Sequence, residues 1–302
     1  MKFPLSILAG SVVALALGTA AASATDIETA TGAVEIDRTP KTIAVYDIAA
    51  LDTINALGVT VAGVPDRLFL PELQPLARTA EVVGTIFEPD LEALNALAPD
   101  LVVVGGRSAR QASETARVAQ TIDMTIDGTE LLDETLARIE TYGILFGKED
   151  RAETLAATLD EDIAEARAAV EGKGDALIIM TNGPKISVYG PGTRFGWLHS
   201  ELGIPPAVDD LGAGIHGDAV SFEFVASANP DWLIVVDRAA AIGSGEQNAQ
   251  ATLDNVLVRG TKAWSEGHVI YLPAADFYIA AGGADATGRI LKAIAEGFAA
   301  GK

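Results

Sequence analysis

The sequence predicts an α/β protein of two similar lobes, joined by a single long helix, with a ligand cleft between the lobes. Short apolar runs alternate with amphipathic helical patterns along most of the chain, which is typical of sheets covered by helices. A helix-to-strand segment of the first half returns in the second half. Between the halves lies a stretch of helix formers without a strand pattern. The length of 302 residues suggests one large domain or two of ordinary size.

The chain begins with the pattern of an export signal. Lys2 supplies a positive charge, residues 5–17 form an apolar run, and the small residues 22–24 form a cleavage site. The apolar run is too short to serve as a permanent membrane anchor. The sequence has no cysteine, which excludes disulfides and cysteine acylation. We therefore expect residues 1–24 to be a signal peptide, and the mature protein to be periplasmic and not lipid-anchored.

The composition excludes several classes of function. The chain has 42 acidic and 21 basic residues, a net charge of −21, and a pI of about 4.4. Nucleic acid is not expected as a partner, because phosphate contacts need clustered lysine and arginine. Residues 212–217 match G-x-G-x-x-G, but no strand precedes them and no helix follows directly, so no dinucleotide site is expected. No P-loop, HExxH or G-x-S-x-G motif is present, and we do not expect an enzyme.

The first lobe is expected over residues 25–130. Its apolar runs predict strands at residues 42–47, 60–65, 80–85, 101–106 and 124–127. Helical patterns lie between them at residues 49–58, 90–98 and 109–120.

Residues 131–171 are expected to be helical and to include the helix between the lobes. Residues 149–170 are 22 strong helix formers, which at 1.5 Å per residue extend about 33 Å. Such a helix would limit hinge motion, whereas a Gly/Ser linker would permit it. Residues 171–175, with two glycines, are expected to end the helix.

The second lobe is expected over residues 172–302. Strands are predicted at residues 176–183, 185–190, 232–237 and 268–273, and helices at 195–203, 222–229, 250–258 and 284–300.

The internal repeat pairs two glutamates and two arginines. The two copies are LEALNALAPDLVVVGGR, residues 91–107, and FEFVASANPDWLIVVDR, residues 222–238. Glu92 aligns with Glu223, and Arg107 aligns with Arg238. Shared architecture explains the apolar positions and the Pro-Asp turn, but it does not explain the matched charged residues.

The matched arginines predict an anion site. Ligands of open α/β sheets bind outside the carboxyl ends of the strands, where Arg107 and Arg238 fall, so these side chains are expected to enter the cleft from opposite walls. Arg194 follows a Gly-Pro-Gly turn and is expected to open a helix, whose N-terminus favours anions. The guanidinium fork suits carboxylate, phosphate or catecholate oxygens. The alternative is that each arginine pairs with a surface acid.

These motifs resemble the periplasmic substrate-binding proteins of ABC importers that carry iron–siderophore complexes. In that class two Rossmann-like α/β lobes are joined by one long helix, and it also includes binders of vitamin B12 and haem. The resemblance covers the whole mature chain. The matching stretches are AALDTINALGV, EPDLEALNALAPDLVVVGGR, GPGTRFGWLHSELG, IHGDAVSFEFVASANPDWLIVVDR and DFYIAAGGADA. Among them, GGR, GTRFG and VVDR are fairly specific for the branch that binds catecholate siderophores.

The resemblance implies how the site works. In the catecholate branch three arginines surround the ferric complex, and they correspond here to Arg107, Arg194 and Arg238. Ferric iron with three catecholates carries a formal charge of about −3, which three arginines would match in a partly desolvated pocket. The iron-reaching residues correspond to His216, in a glycine-flanked loop, and Tyr278, expected in a loop after the last strand. They would fill the two positions that a tetradentate siderophore leaves open on Fe(III).

The resemblance also implies the partners. One acidic residue on each lobe docks onto arginines of a dimeric inner-membrane ABC permease, and Glu92 and Glu223 match those positions; the alternative is ordinary helix-surface charge. The ligand is expected to be a ferric siderophore, with no intrinsic cofactor, and the protein is expected to be a monomer.

Two other classes of function stay open at this point. The same fold could carry haem, a cobalamin, another metal chelate or a free metal ion. Free zinc or manganese would need clustered histidines and carboxylates, and the three histidines are scattered. A corrinoid would leave the arginines without an anionic partner. An exported hydrolase is the remaining class, but the sequence lacks a nucleophile–base motif.

Overall fold

The computed structural model describes residues 24–212, 214 and 217–301. The predicted signal peptide, except for Ala24, and the predicted iron-reaching His216 lie outside the described residues. The chain forms two α/β lobes, as predicted, each built around a five-stranded sheet. Within the described ranges, no helix combines the length and the apolar composition needed to span a membrane.

The first lobe contains a parallel sheet in the order β5-β4-β3-β6-β7. Its central strands β3 and β6 are fully buried, as expected where helices cover both faces and the strand sequence is continuously apolar. The strands are β3 (Ile43–Val45), β4 (Gly63–Val64), β5 (Glu81–Val82), β6 (Leu101–Val104) and β7 (Thr121–Asp123). The helices are α1 (Ile48–Ala56), α2 (Leu91–Leu97) and α3 (Ala112–Thr115), with 3-10 helices at Pro71–Arg78 and Ala109–Gln111.

An antiparallel hairpin that was not predicted precedes this sheet. It consists of β1 (Thr25–Thr29) and β2 (Gly32–Ile36). Ile27 and Ile36 carry its apolar face into the core.

The second lobe contains a mixed sheet in the order β10-β9-β8-β11-β12, in which β8, β11 and β12 are parallel and β9 and β10 are antiparallel. The strands are β8 (Ala176–Asn182), β9 (Lys185–Tyr189), β10 (Asp218–Val220), β11 (Trp232–Asp237) and β12 (Val269–Tyr271). The helices are α6 (Trp197–Ser200), α7 (Phe222–Ala228), α8 (Arg238–Ile242), α9 (Ala249–Leu253), α10 (Val256–Arg259), α11 (Lys262–Glu266), α12 (Ala274–Ile279) and α13 (Ala284–Ala300).

Several predicted elements are wrong, and local side-chain bonds explain two of them. The strand predicted at residues 124–127 lies at Thr121–Asp123, because the Asp123 carboxylate accepts from the backbone and hydroxyl of Thr125 and turns the chain. The helix predicted at residues 250–258 is divided into α9 and α10, because the Asn255 side chain caps a new helix start. The helix predicted at residues 109–120 is reduced to a 3-10 turn and the short α3.

The lobes are connected by long helices that share one core. Between β7 and β8 run α4 (Leu131–Phe146) and α5 (Glu149–Val170), and α5 spans the predicted residues. Helix α13 also spans its predicted residues, packs along α5, and contacts α1 of the first lobe. A continuous apolar cluster includes Leu51 of α1, Ile163 of α5 and Leu291 of α13. Helices α1, α5 and α13 therefore join the two lobes through one apolar core.

Candidate ligand-binding site

Two of the predicted arginines lie where the repeat predicts, beyond the carboxyl ends of central strands. Arg107 lies in the turn that follows β6. Arg238 is the first residue of α8 and follows β11 directly. Asp237 fixes that start, since one carboxylate oxygen accepts from the backbone N–H of Ala240 at 2.9 Å and the other from Ala249 at 2.8 Å.

The third arginine lies in a turn, and the prediction that it opens a helix is wrong. Helix α6 begins only at Trp197 and is four residues long. The Thr193 hydroxyl donates to the Gly190 carbonyl at 2.8 Å, and a Cβ on Gly196 would lie 2.8 Å from that oxygen. This close chain approach, which glycine alone permits, fixes the position of Arg194.

Tyr278 lies on a helix and not in the predicted loop. Helix α12 starts after Pro273, and Phe277 anchors it by ring contacts with Phe195 and Trp197, whose centroids lie 4.7 Å and 5.9 Å away. These are tertiary contacts, which local sequence patterns do not reveal. The Tyr278 side chain is half-buried.

Arg107, Arg194 and Arg238, here called the arginine cluster, converge on Tyr278. Their guanidinium carbons lie 4.9, 5.0 and 5.7 Å from the centre of its ring, within the range of cation–π attraction. Arg107 and Arg194 donate to its backbone carbonyl at 2.6 and 3.0 Å, and Arg238 donates to its hydroxyl at 3.0 Å. The structure therefore brings four of the five predicted ligand-site residues together.

Among the described residues no carboxylate lies within 4.0 Å of the arginine cluster, although the charge of Arg107 acts on the buried Asp47. The ion pairs found there, within 4.0 Å, involve other cations. The alternative that each arginine pairs with a surface acid is thus wrong for this part of the chain. Three adjacent positive charges create a local potential that favours an anion, in a protein that is otherwise strongly acidic.

The cluster changes the acid–base properties of its own members. Burial alone would raise the pKa of Tyr278, but the hydrogen bond from Arg238 and the charges of the three arginines outweigh it and lower that pKa below its ordinary value. Burial and the neighbouring Arg107 lower the pKa of Arg194. Tyr278 is therefore set to release its proton more readily than a free phenol.

A pocket of about 690 Å³ opens in front of the cluster. Arg194, Arg238 and Tyr278 line it, whereas Arg107 is not part of the lining and donates to the Tyr278 carbonyl. Sequence reasoning missed Asn182 and Lys185, which also line the pocket. Asn182 ends β8 and its side-chain oxygen accepts from Arg238 at 2.8 Å. The rule that ligands bind at strand carboxyl ends could have identified it.

A second cavity, of about 600 Å³, lies between α4 and α5, away from the arginine cluster. Its lining includes five carboxylates, which would repel an anion: Glu140, Glu149, Asp150, Glu153 and Asp160. Within the described residues, no group of three or more His, Cys, Asp or Glu could hold a metal ion.

The repeated glutamates occupy equivalent positions. Glu92 is the second residue of α2 and Glu223 the second residue of α7, one on each lobe, and both side chains are exposed. Glu223 also lines the edge of the pocket in front of the arginine cluster, which the sequence did not indicate. Their role in docking stays a prediction.

The chain belongs to the periplasmic binding protein family, which matches residues 43–275. Its sequence is similar to petrobactin-binding protein YclQ of Bacillus subtilis, at 33% identity over 267 residues, 87% of this chain and 84% of that protein. It is also similar to ferric-anguibactin-binding protein FatB of Vibrio anguillarum, at 31% identity, covering 84% of this chain and 81% of that protein.

Solved structures agree with this assignment. The crystal structure of YclQ matches with a TM-score of 0.85 and 32% identity, covering 91% of this chain and 99% of that chain. The periplasmic catecholate-siderophore binding protein VctP of Vibrio cholerae matches with a TM-score of 0.83 and 28% identity, covering 90% of this chain and 99% of that chain. The predicted resemblance to binding proteins of ABC importers is confirmed.

Proposed function

We propose that this protein is a periplasmic solute-binding protein that captures a ferric siderophore of the catecholate type and delivers it to an inner-membrane ABC permease. One observation carries the proposal: three arginines, with no carboxylate within 4.0 Å among the described residues, converge at the edge of a pocket around one phenol. The named ligands of similar proteins, petrobactin, anguibactin and catecholate siderophores, support it.

The charge and the size of the pocket fit such a ligand. A ferric tris-catecholate carries about three negative charges, and the arginine cluster offers three positive ones. The volume of about 690 Å³ lies within the range of small-molecule sites. A corrinoid would leave these charges unmatched, so the arginine cluster favours the ferric siderophore over the other ligands of this fold.

The arginine cluster still has donors to offer to a ligand. Each guanidinium carries five N–H donors, and Arg238 uses one for the Tyr278 hydroxyl and one for Asn182. Catecholate oxygens can occupy the free donors while the bonds to the Tyr278 carbonyl keep the arginines in place.

Tyr278 and His216 are proposed to complete the iron shell of a tetradentate siderophore. Fe(III) prefers oxygen donors and accepts imidazole. The lowered pKa of Tyr278 makes phenolate formation easier than for an ordinary tyrosine. An already six-coordinate tris-catecholate complex would need neither residue.

Glu92 and Glu223 are proposed to dock the loaded protein onto the permease. One glutamate per lobe, at equivalent helix positions, suits a partner with two equivalent halves. No catalytic step is proposed, and the protein is expected to act as a monomer.

Tryptophan fluorescence tests the proposal, because Trp197 packs on Phe277, next to Tyr278. Purified protein is titrated with ferric tris-catecholate, bis-catecholate, hydroxamate and citrate complexes. We expect saturable quenching with the catecholates at far lower concentrations than with the hydroxamate. Preference for the hydroxamate or citrate complex, or no response to catecholates, would contradict the proposal.

A further inference from the structure

The short helix that carries Tyr278 is held by a side chain outside the pocket lining. Helix α12 has six residues, too few for stability on its own. Asp276 and Tyr278 are two positions apart, so their side chains leave the helix about 200° apart. Tyr278 is directed to the arginine cluster, whereas Asp276 is directed to Arg289 of α13.

Arg289 binds Asp276 at two points. Its Nη2 donates to one carboxylate oxygen at 2.8 Å, and its Nε donates to the other at 3.2 Å. The Asp276 residue is only 8% exposed. A two-point arginine–carboxylate pair fixes orientation as well as distance, and it therefore constrains the rotation of α12.

The same guanidinium reaches the first lobe. Its Nη2 lies 3.5 Å from Asp52 on α1 and 3.9 Å from Glu72. Asp52 is 2% exposed, and its other oxygen accepts from the backbone N–H of Ala286 at 2.9 Å. A Cβ on Gly283 would lie 2.7 Å from Asp52, so the close approach at the start of α13 requires glycine. Three helices, α1, α12 and α13, are thus joined around one arginine.

The other end of α12 is held by the arginine cluster itself. Arg107 donates to the carbonyls of Tyr278 and Ile279, and Arg194 also donates to the Tyr278 carbonyl. If the bond to Arg289 is removed, α12 keeps these contacts, the packing of Phe277 and its contacts with α8, α13 and β11, but it loses the two-point bond that constrains its rotation. The Tyr278 ring would then change its distance from the three guanidinium groups.

We propose that Arg289 is a positioning residue of the ligand site: through Asp276 it fixes α12, and thereby holds Tyr278 at the centre of the arginine cluster and in register with the first lobe. As far as it concerns ferric-siderophore affinity, this inference rests on the proposed function. The effect of Arg289 on Tyr278 in the ligand-free protein does not depend on the proposed function.

The first test measures tyrosine ionisation without ligand. Burial raises the pKa of four of the five tyrosines, Tyr46, Tyr142, Tyr189 and Tyr271, whereas that of Tyr278 is lowered. An alkaline absorbance titration should therefore show one early phenolate, which Tyr278→Phe removes. In Arg289→Gln we expect this early step to move to higher pH, because the displaced ring is less stabilised as phenolate.

The matched control is Lys292→Gln. Lys292 lies on the same helix, α13, and pairs with Asp162 of α5 at 3.3 Å. The substitution therefore removes an ion pair of α13 without releasing α12. Its tyrosine titration and its ligand affinity should equal those of the wild type.

The second test measures the Kd for a ferric bis-catecholate. Arg289→Gln and Asp276→Asn should each weaken binding by at least about fivefold, the scale of coupling between residues of one network. The double variant should lose no more affinity than the weaker-binding of the two single variants, because both substitutions remove the same Arg289–Asp276 bond.

A folded Arg289→Gln protein with the tyrosine titration and the Kd of the wild type would overturn the inference, as would equal losses in Lys292→Gln. If Arg289→Gln does not fold, Asp276→Asn, which keeps the side-chain shape, decides by the same two measurements. If the wild type binds neither the bis-catecholate nor the tris-catecholate complex, the proposed function fails, and the tyrosine titration still decides whether Arg289 positions Tyr278.

Discussion

Arg238 offers the sharpest single test of the arginine cluster. It is the first residue of α8, and its side chain lines the pocket and donates hydrogen bonds to the Tyr278 hydroxyl and to Asn182. Arg238→Gln removes the positive charge and the fork of donors but keeps a polar side chain. We expect the fold to survive, because α8 remains capped by Asp237.

The expected loss follows from the setting of the charge. Truncating one side of a buried charge pair costs about 2–5 kcal/mol. This pocket is open to water on one side, so the lower part of that range, about 2–3 kcal/mol, applies. At about 1.4 kcal/mol per tenfold, the Kd for a ferric tris-catecholate should rise roughly 30- to 150-fold. Arg238→Lys should lose less affinity than Arg238→Gln, because lysine keeps the positive charge and lacks only the forked arrangement of donors.

Equilibrium fluorescence titration with the ferric tris-catecholate measures the effect. Arg259→Gln is the control, because Arg259 is an arginine of the same lobe that pairs with Asp254, is 57% exposed and lies outside the pocket lining. Its Kd should be that of the wild type. If Arg238→Gln binds as tightly as the control, the arginine cluster is not the anion site.

Three further predictions concern the iron, the permease and stability. Tyr278→Phe and His216→Ala should weaken binding of a ferric bis-catecholate at least tenfold more than that of a tris-catecholate, whose iron has no vacancy; equal losses in the two titrations would show that the residues only line the pocket. Glu92→Lys should leave the Kd within about twofold, and both Glu92→Lys and Glu223→Lys should lower stimulation of the permease ATPase at saturating ligand; full stimulation by the double variant would refute docking. Burial raises the pKa of Asp52 from 3.8 to about 6. Ionisation of Asp52 therefore lowers the free energy of unfolding by on the order of 3 kcal/mol above about pH 6, whereas below about pH 4 the carboxyl is protonated in both states and has no such effect. Asp52→Asn should therefore raise the free energy of unfolding in urea at about pH 8, with a gain that disappears near pH 4; a gain independent of pH would contradict this.

The long and strongly periodic elements could be predicted from the sequence. Helices α5 and α13 start and end at the predicted residues, because good helix formers and a consistent apolar face extend over many turns. The central strands were found for a similar reason, since strands buried on both faces are continuously apolar. The repeat placed Arg107 and Arg238 correctly, because strand carboxyl ends of a parallel sheet share one edge.

Short elements held by tertiary contacts could not be predicted. Helix α12 has only six residues, and its position depends on Phe277 packing and on Arg289, which is distant in sequence. The Asx turn at Asp123 ended a strand earlier than its apolar pattern indicated. The convergence of the arginine cluster on Tyr278 also depends on how the lobes face each other, which no local pattern specifies.

A crystal structure of the protein with a ferric catecholate siderophore tests the central claim most directly. We predict that the siderophore occupies the pocket in front of Tyr278, with the guanidinium groups of Arg194 and Arg238 within hydrogen-bond distance of catecholate oxygens and Arg107 at the same ligand or on the Tyr278 carbonyl. A siderophore bound elsewhere, or bound in this pocket with the arginines directed away from its oxygens, would contradict the account.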